Sequence, residues 1–381
     1  MLELEQLTPY IPYIPLAILG ILLLIQLYYI LFVYGKLAVQ KVKPYQDNSE
    51  KPPVSVIISA FNEQDNLSEF LPIILEQQYP RFEVIVVNDC SSDDSQWVLK
   101  EFVKKYPDKL RVIEIKEHIR LKNTKKFTLT MGIKGAQYEH LLFTDADCQP
   151  SSSNWISEMA GAFTEEKEII IGYSPYFKFP GFLNKVIRFE TSHTAMSYLS
   201  YAIKRNAYMA VGRNLAYKKS LFFKSKGFTK HMHIKSGDDD LFVNQNANRK
   251  NVNITIHPDA HVYSKPKETW KSYYRQKARH AGASVLYKGR HKRMLATQLI
   301  SALLFYVMTL VCLIMNPYLW FLPLGAYILR LLSQLIIFSS IYRKLDVRDL
   351  LLWLPVLDLV YYFYICLNGL FNRRKKEIAW K

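Results

Sequence analysis

The stretch His140-Leu141-Leu142-Phe143-Thr144-Asp145-Ala146-Asp147-Cys148 decides how this chain is read. Its apolar half has the length and composition of a buried strand. Side chains alternate across a strand, so the carboxylates at 145 and 147 leave it on one side. Two hard oxygen donors held that way suit a divalent ion that also carries phosphates, Mg²⁺ or Mn²⁺. A plain turn is the competing reading, because Asp is common where strands end. The company the pair keeps decides between them.

Upstream, Val54–Ala60, Phe82–Asn88 and Arg111–Ile115 are further β-rich runs. Helical patterns separate them. Leu67, Phe70, Leu71, Ile74 and Leu75 recur at 3–4 spacing after Asn62, a plausible cap, with Pro72 interrupting the pattern. A second pattern runs through Trp97 and Phe102, and a third covers 124–134. Strands alternating with helices predict an α/β fold with a doubly wound, mostly parallel sheet. Ligands of such sheets bind beyond the carboxyl ends of the strands. Acidic residues fall at those ends: Glu63 after the first strand, Asp89 after the second, Asp145 and Asp147 after the fourth. Asp89 reads either as an acceptor for a base or ribose or as part of a capping run with Ser91, Ser92 and Asp93; capping through Ser92 satisfies both.

Further along, Gly237-Asp238-Asp239-Asp240 sets three carboxylates side by side. Mutual repulsion makes such a run either solvated or functional. The apolar Leu241-Phe242-Val243 that follows brings it to the domain's edge, where one member suits a general base. Gln276-x-x-Arg279 follows Trp270, Tyr273 and Tyr274. Arg279 suits bidentate binding of a diphosphate, while Lys271, Arg275 and Lys277 also fit a basic helix on a membrane surface. Gly212-Arg213-Asn214, between the acidic motifs, reads equally as a plain loop or as a contact to sugar or acceptor.

The 381 residues carry a net charge of +17. The basic excess sits beside apolar stretches, at Lys36–Lys43, Lys288–Arg293, Arg343–Arg348 and Arg373–Lys376, which is the pattern of a membrane protein. No nucleic-acid-binding signature accompanies it. Uncharged segments at 6–35 and 294–329, broken at Asn316-Pro317, and a third apolar stretch near 350–370 predict one N-terminal and two to three C-terminal transmembrane helices. Glu3 and Glu5 ahead of the first span read as an anchor with its N-terminus outside. Three full spans after the domain would put Arg373–Lys376 outside, whereas a re-entrant or in-plane last segment would keep them inside. The expected organisation is an anchor at 1–36, a linker at 37–52, a cytosolic domain at 53–293, a membrane region at 294–371 and a basic tail at 372–381. Arg330 and Asp358 fall inside apolar segments, where an ionisable group is costly unless paired, so either an intramembrane ion pair is expected or Arg330 snorkels to one interface. Cys90, Cys148, Cys312 and Cys366 show no metal-like spacing and read as free thiols.

Together the order of motifs resembles that of a membrane-bound family 2 glycosyltransferase with the GT-A fold. Ser59-Ala60-Phe61-Asn62-Glu63 resembles the family's opening motif and Val86-Val87-Asn88-Asp89-Cys90-Ser91-Ser92-Asp93 its second. Lys125-Lys126-Phe127-Thr128-Leu129 resembles the lysine motif, Thr144-Asp145-Ala146-Asp147-Cys148 the metal motif and Ser236-Gly237-Asp238-Asp239-Asp240 the base motif. The resemblance implies inverting transfer from a nucleoside-diphosphate sugar, a UDP-sugar, to a lipid-linked or membrane-near acceptor at a bacterial inner membrane. It implies Asp239 as the base, and Asp147 with Asp145 on Mg²⁺ or Mn²⁺. Glu63, Asp89, Lys126, Asp145, Gln276 and Arg279 would bind the donor. Asp238, His280 and Arg213 would face the acceptor. His280 departs from the Trp that usually closes the Gln-x-x-Arg-Trp motif of polymer-forming members, which favours adding one or a few sugars over a processive polysaccharide synthase. A sugar-nucleotide pyrophosphorylase would need a Gly-rich basic loop where Ala60-Phe61-Asn62-Glu63 stands, and a non-catalytic membrane scaffold would not need every acidic position.

Overall fold

A computed structural model describes residues 13–42, 51–116, 125–232, 234, 236–280 and 282–372, with only the backbone for 279–280 and 366–372. The expected basic tail beyond 372, the segment before 13 and half of the linker (43–50) lie outside the described residues.

The described chain opens on α1 (Ile14–Val39), a helix with a wider π-helical stretch at Tyr28–Tyr34. An α/β body follows. Strands β1 (Val54–Ala60), β2 (Phe82–Asp89), β3 (Leu110–Ile115) and β4 (His140–Asp145) are joined by helices α2 (Gln64–Leu75), α3 (Ser95–Lys105) and α4 (Lys125–Gly135). Next come β5 (Cys148–Pro150), α5 (Trp155–Ala160), β6 (Ile169–Ile171), α6 (Phe182–Ile203), β7 (Leu215–Lys218), α7 (Lys219–Lys224), α8 (Asp240–Asn246), β8 (Val252–Ile254), β9 (Val262–Ser264) and α9 (Trp270–His280).

The main sheet has seven strands in the order β3-β2-β1-β4-β7-β6-β8. Only β7 runs against its neighbours; the other pairings are parallel. β1 and β2 are buried at every position, which is why they read as mainly apolar runs rather than alternating ones; of the polar exceptions, Ser55 donates to Glu83 at 2.7 Å. Pro72 does not break α2: Leu67, Phe70, Leu71, Ile74 and Leu75 are all buried, and that packing outweighs the lost N–H. Asn62 does not cap α2. It sits at φ +53°, and its side-chain oxygen accepts from the Ser92 N–H at 2.8 Å. Asp93 accepts from the N–H groups of Gln64 and Ser95, so the loops after β1 and β2 brace each other. The capping residues expected from the sequence are spent on this brace.

Three described helices are long and apolar enough to cross a membrane: α1, α10 (Gly289–Met315) and α11 (Phe321–Lys344). A last helix, α12 (Leu354–Asn372), follows a 3₁₀ turn at Arg348–Trp353. These four helices form a compact unit of their own, distinct from the α/β body. The expected pair is present within it: Arg330 Nη1 lies 3.0 Å from Asp358 Oδ2, and each residue is 1% exposed. Tyr306 donates to Asp358 Oδ2, Gln334 donates to Oδ1, and Arg330 also donates to Gln26 on α1. Gln26 in turn donates to Ser301. One polar knot therefore draws on all four helices.

Removing one partner of a buried pair strands the other's charge, at a cost of about 3–5 kcal/mol. Asp358→Leu is expected to lower the unfolding midpoint in detergent and the level of protein recovered from membranes. Arg330→Met combined with Asp358→Leu should recover part of that loss. A double variant no better than the single one would count against the pair as the source of the effect.

Candidate functional site

The sheet builds outward from β1 through β2 to β3, then returns to place β4 on the other side of β1. At that reversal the connecting helices part and leave a crevice beyond the strand ends. Asp145, the last residue of β4, lies in register with Ser59 of β1. Glu63 follows β1 immediately, and β7, antiparallel to β4, begins beside the end of β4 with Leu215 opposite Phe143. The 3₁₀ turn Gly212–Asn214 that leads into β7 is thus delivered to the same edge.

Oxygens of Asp145 and Asp147 and the Cys148 sulfur lie within 4.8 Å of one another. Burial raises the pKa of Asp147, and the charges of Asp145 and Glu63 add to it against the opposing pull of Arg213. The Cys148 thiol is buried, which holds it well above its usual range, and it donates to Asp147 Oδ1 at 3.4 Å. What remains is a set of hard carboxylate oxygens with excess negative charge, which fits Mg²⁺ or Mn²⁺ better than a thiophilic metal.

The second acidic run meets the first through one ammonium. Lys125 Nζ lies 2.6 Å from Asp145 Oδ1 and 3.6 Å from Asp238 Oδ2. Burial opposes its charge, but the two carboxylates prevail and hold it protonated. Asp239 caps α8: its Oδ1 accepts from the Asp240 N–H at 2.7 Å and its Oδ2 from the Gly212 N–H at 2.6 Å. A side chain at 212 would press on that carboxylate, since a Cβ there would stand 3.3 Å from Oδ2. Burial, reinforced by Asp238 and Asp240, pushes Asp239 up to about 8, with Lys125 opposing. Asp240 accepts from the Tyr287 hydroxyl at 2.7 Å and faces away from this role.

Other residues singled out in the sequence take different places. Lys126 is fully buried and donates to the backbone carbonyls of His231 and Ile234, at 2.6 and 2.8 Å. Its neighbour Lys125, not Lys126, reaches the metal-side carboxylate; consecutive helix residues point about 100° apart, so only one of the two can. Lys126 instead anchors the segment that leads into Asp238–Asp240. Asp89 is buried, and neither oxygen has a close hydrogen-bond partner among the described residues. Burial raises its pKa while the Thr128 hydroxyl works against the rise. Gln276 donates to the Tyr176 hydroxyl at 3.3 Å, and the Arg213 guanidinium lies over the Tyr176 ring at 4.4 Å. The side chains of Arg279 and His280 lie outside the described residues. Lys125 and Gly212 figure in sequence motifs without a role of their own, and sequence reasoning passed over Tyr176; the antiparallel pairing of β7 with both β4 and β6 brings Gly212 and the stretch after β6 to the same strand ends.

Residues 145–366, more than half of the chain, match Glycosyl transferase family group 2, and residues 55–224 match Glycosyl transferase family 2. The chain belongs to the family 2 glycosyltransferases. A segment of 119 residues is 28% identical to the poly-beta-1,6-N-acetyl-D-glucosamine synthase of Staphylococcus epidermidis, covering 31% of this chain and 27% of that protein. A segment of 250 residues is 26% identical to the probable glycosyltransferase YdaM of Bacillus subtilis, covering 64% of this chain and 58% of that protein. The matched segments thus span less than two thirds of either relative. Among solved structures, the mannosyltransferase PcManGT of Pyrobaculum calidifontis, in complex with GDP-Man and Mn2+, superposes with a TM-score of 0.53 at 18% identity. The match covers 92% of this chain and 99% of that one. That likeness shows a shared fold, and with it the GT-A architecture of this family member.

The Lys126 clamp can be tested by itself. A hydrogen bond from a charged donor contributes about 1.5–3 kcal/mol, so Lys126→Met should lower thermal stability and reduce glycosyl-transfer turnover at least tenfold. The KM for the nucleotide donor should stay within about twofold, because the clamped segment carries Asp238–Asp240 rather than a donor contact. A selective rise in donor KM at unchanged turnover would instead place Lys126 on the donor.

Proposed function

We propose that this chain transfers a sugar from a nucleoside-diphosphate sugar, a UDP-sugar, to a hydroxyl of a membrane-near or lipid-linked acceptor, with inversion at the anomeric carbon. The observation that carries this reading is the Lys125 ammonium set between Asp145 and Asp238, which gathers two acidic motifs nearly a hundred residues apart into one cleft.

Glu63 and Asp89, at the ends of β1 and β2, would take the nucleoside. Asp147, with Asp145, would hold Mg²⁺ or Mn²⁺. When bound, that ion supplies charge neutralisation for the diphosphate. Asp239 has the properties of the base: it is partly buried, fixed by two backbone N–H groups and raised well above the ordinary carboxylate range. It takes the acceptor hydroxyl's proton as that oxygen attacks the anomeric carbon. The bond from sugar to phosphate breaks with its electron pair going to the leaving diphosphate. A single displacement inverts the centre, and no covalent enzyme intermediate forms. The membrane-spanning candidates and the basic clusters beside them support placement in a bacterial inner membrane with the catalytic body cytosolic. Processive synthesis is the second reading, favoured by the segment shared with the staphylococcal synthase. The lengths of the products separate it from addition of one or a few sugars.

Incubation of the purified chain with UDP-sugars, a divalent ion and membrane glycolipid should yield nucleoside diphosphate and a glycosylated lipid. Asp239→Asn is expected to abolish transfer, by about a hundredfold or more, while donor binding persists; retained transfer would remove Asp239 from the base role. Asp147→Ala should lose metal-dependent donor binding, as read by calorimetry with and without chelator.

The base must be ionised to act, so kcat/KM should climb with pH through a limb well above the usual carboxylate pKa of about 4, in the direction of the raised Asp239 value. Asp238→Asn removes a like charge and should move that limb to lower pH. A limb unmoved by the substitution would mean that another group titrates.

A further inference from the structure

The cations near the cleft are not equally provided for. Lys125 has two carboxylates and Lys126 two carbonyls. Arg213 has one hydrogen bond, from Nη2 to the Ser174 carbonyl at 3.3 Å. Its Nη1 is buried with no acceptor, and it forms no ion pair among the described residues. A guanidinium is always charged and offers a planar fork, so a buried nitrogen without a partner is costly unless something else fills it.

The side chain is also held where it is. Its guanidinium carbon lies 4.4 Å from the centre of the Tyr176 ring, whose hydroxyl accepts from Gln276 and whose backbone bridges to Ser264. Next in the chain, Asn214 is fully buried, donates to the carbonyls of Tyr173 and Ala260 and accepts from Trp155. Gly172 leaves room for that amide; a Cβ there would stand 2.4 Å from its nitrogen. The residue before Arg213 is Gly212, which holds Asp239. On its other side Arg213 is near enough to Asp147 for their charges to interact.

We propose that Arg213 is the receptor for an oxyanion, a phosphate or carboxylate group, bound between the Asp145–Asp147 pair and Asp239. The fork and its stacked Tyr176 provide bidentate geometry, and the position between metal-side carboxylates and base is where a substrate's charged group would pass. Two sources share this chemistry: the diphosphate of the donor, and an anionic group on the acceptor such as a lipid phosphate. The choice of sources rests on the glycosyl-transfer reading; oxyanion binding itself does not.

The test uses the full chain in detergent with inorganic pyrophosphate and uridine diphosphate as probes, each with and without Mn²⁺. Arg213→Gln removes the charge, and Arg213→Lys keeps the charge while losing the fork; unfolding midpoints report whether each variant is folded. Binding of pyrophosphate is expected to weaken at least tenfold in Arg213→Gln and by a smaller factor in Arg213→Lys. If the donor is the source, the uridine diphosphate Kd and the donor KM rise together and the acceptor KM is unchanged. If the acceptor is the source, the acceptor KM rises for a polyprenyl-phosphate-linked sugar but not for a neutral alkyl glycoside, and the uridine diphosphate Kd stays as it was. Should Arg213→Gln not fold, Arg213→Lys decides on the same readouts. Unchanged pyrophosphate, uridine diphosphate and acceptor constants in a folded variant would overturn the assignment. Pyrophosphate binding that depends on Arg213 in a chain that turns over no nucleotide sugar would sink glycosyl transfer and leave this site standing. Transfer that proceeds normally in both variants would do the reverse.

Discussion

Like charges gathered at strand ends are the constraint on which the α/β body's chemistry depends. Glu63, Asp145, Asp147, Asp238 and Asp239 converge there because the sheet reverses its winding between β1 and β4 and because β7 starts at the same edge. Left alone, such a set would push itself apart. Lys125 holds it together by sitting between one carboxylate of each acidic motif, and two backbone N–H groups fix Asp239. Burial first, and the remaining like charge second, raise the pKa values of Asp147 and Asp239. A site in that state favours whatever brings positive charge to it.

The membrane unit solves a related problem by another route. Arg330 and Asp358 are in contact, and Gln26, Tyr306 and Gln334 complete their hydrogen bonds. Such a knot adds less to stability than equal apolar packing would, because both ions must leave water. It does discriminate between ways of packing four greasy helices that apolar contact alone would leave nearly equivalent.

Much of this was legible in the sequence. The strands of the parallel half were visible because they are buried on both faces and so read as continuous apolar runs. The carboxylates at their ends were visible because strand ends are where such sheets bind. The pair Arg330–Asp358 was visible because charge is so expensive in an apolar segment. Other features were hidden for physical reasons. β7 and β6 are short, and no local pattern says that one runs backwards. Lys125 and Lys126 are adjacent, and their division of labour depends on how α4 is rotated against the sheet. Asn62 looks like a cap in one dimension, yet its partner is a loop some thirty residues away. Arg213 looks like an ordinary loop cation until the ring beneath it and the missing acceptor are seen together.

The reversed direction of β7 has a consequence for how such a chain can diversify. Because this strand enters the sheet at the cleft rather than leaving it there, the residues that lead into it are held from several sides: Tyr208 by Ser197 and Asn244, Gly212 by Asp239, and Asn214 by Tyr173, Ala260 and Trp155. Room for exchange or insertion is left farther upstream, at Arg205, the exposed residue just past α6. A change beyond that point reaches Asp239 through the Gly212 N–H, and Arg213 directly. Diversification through this connection is thus confined to its first few residues.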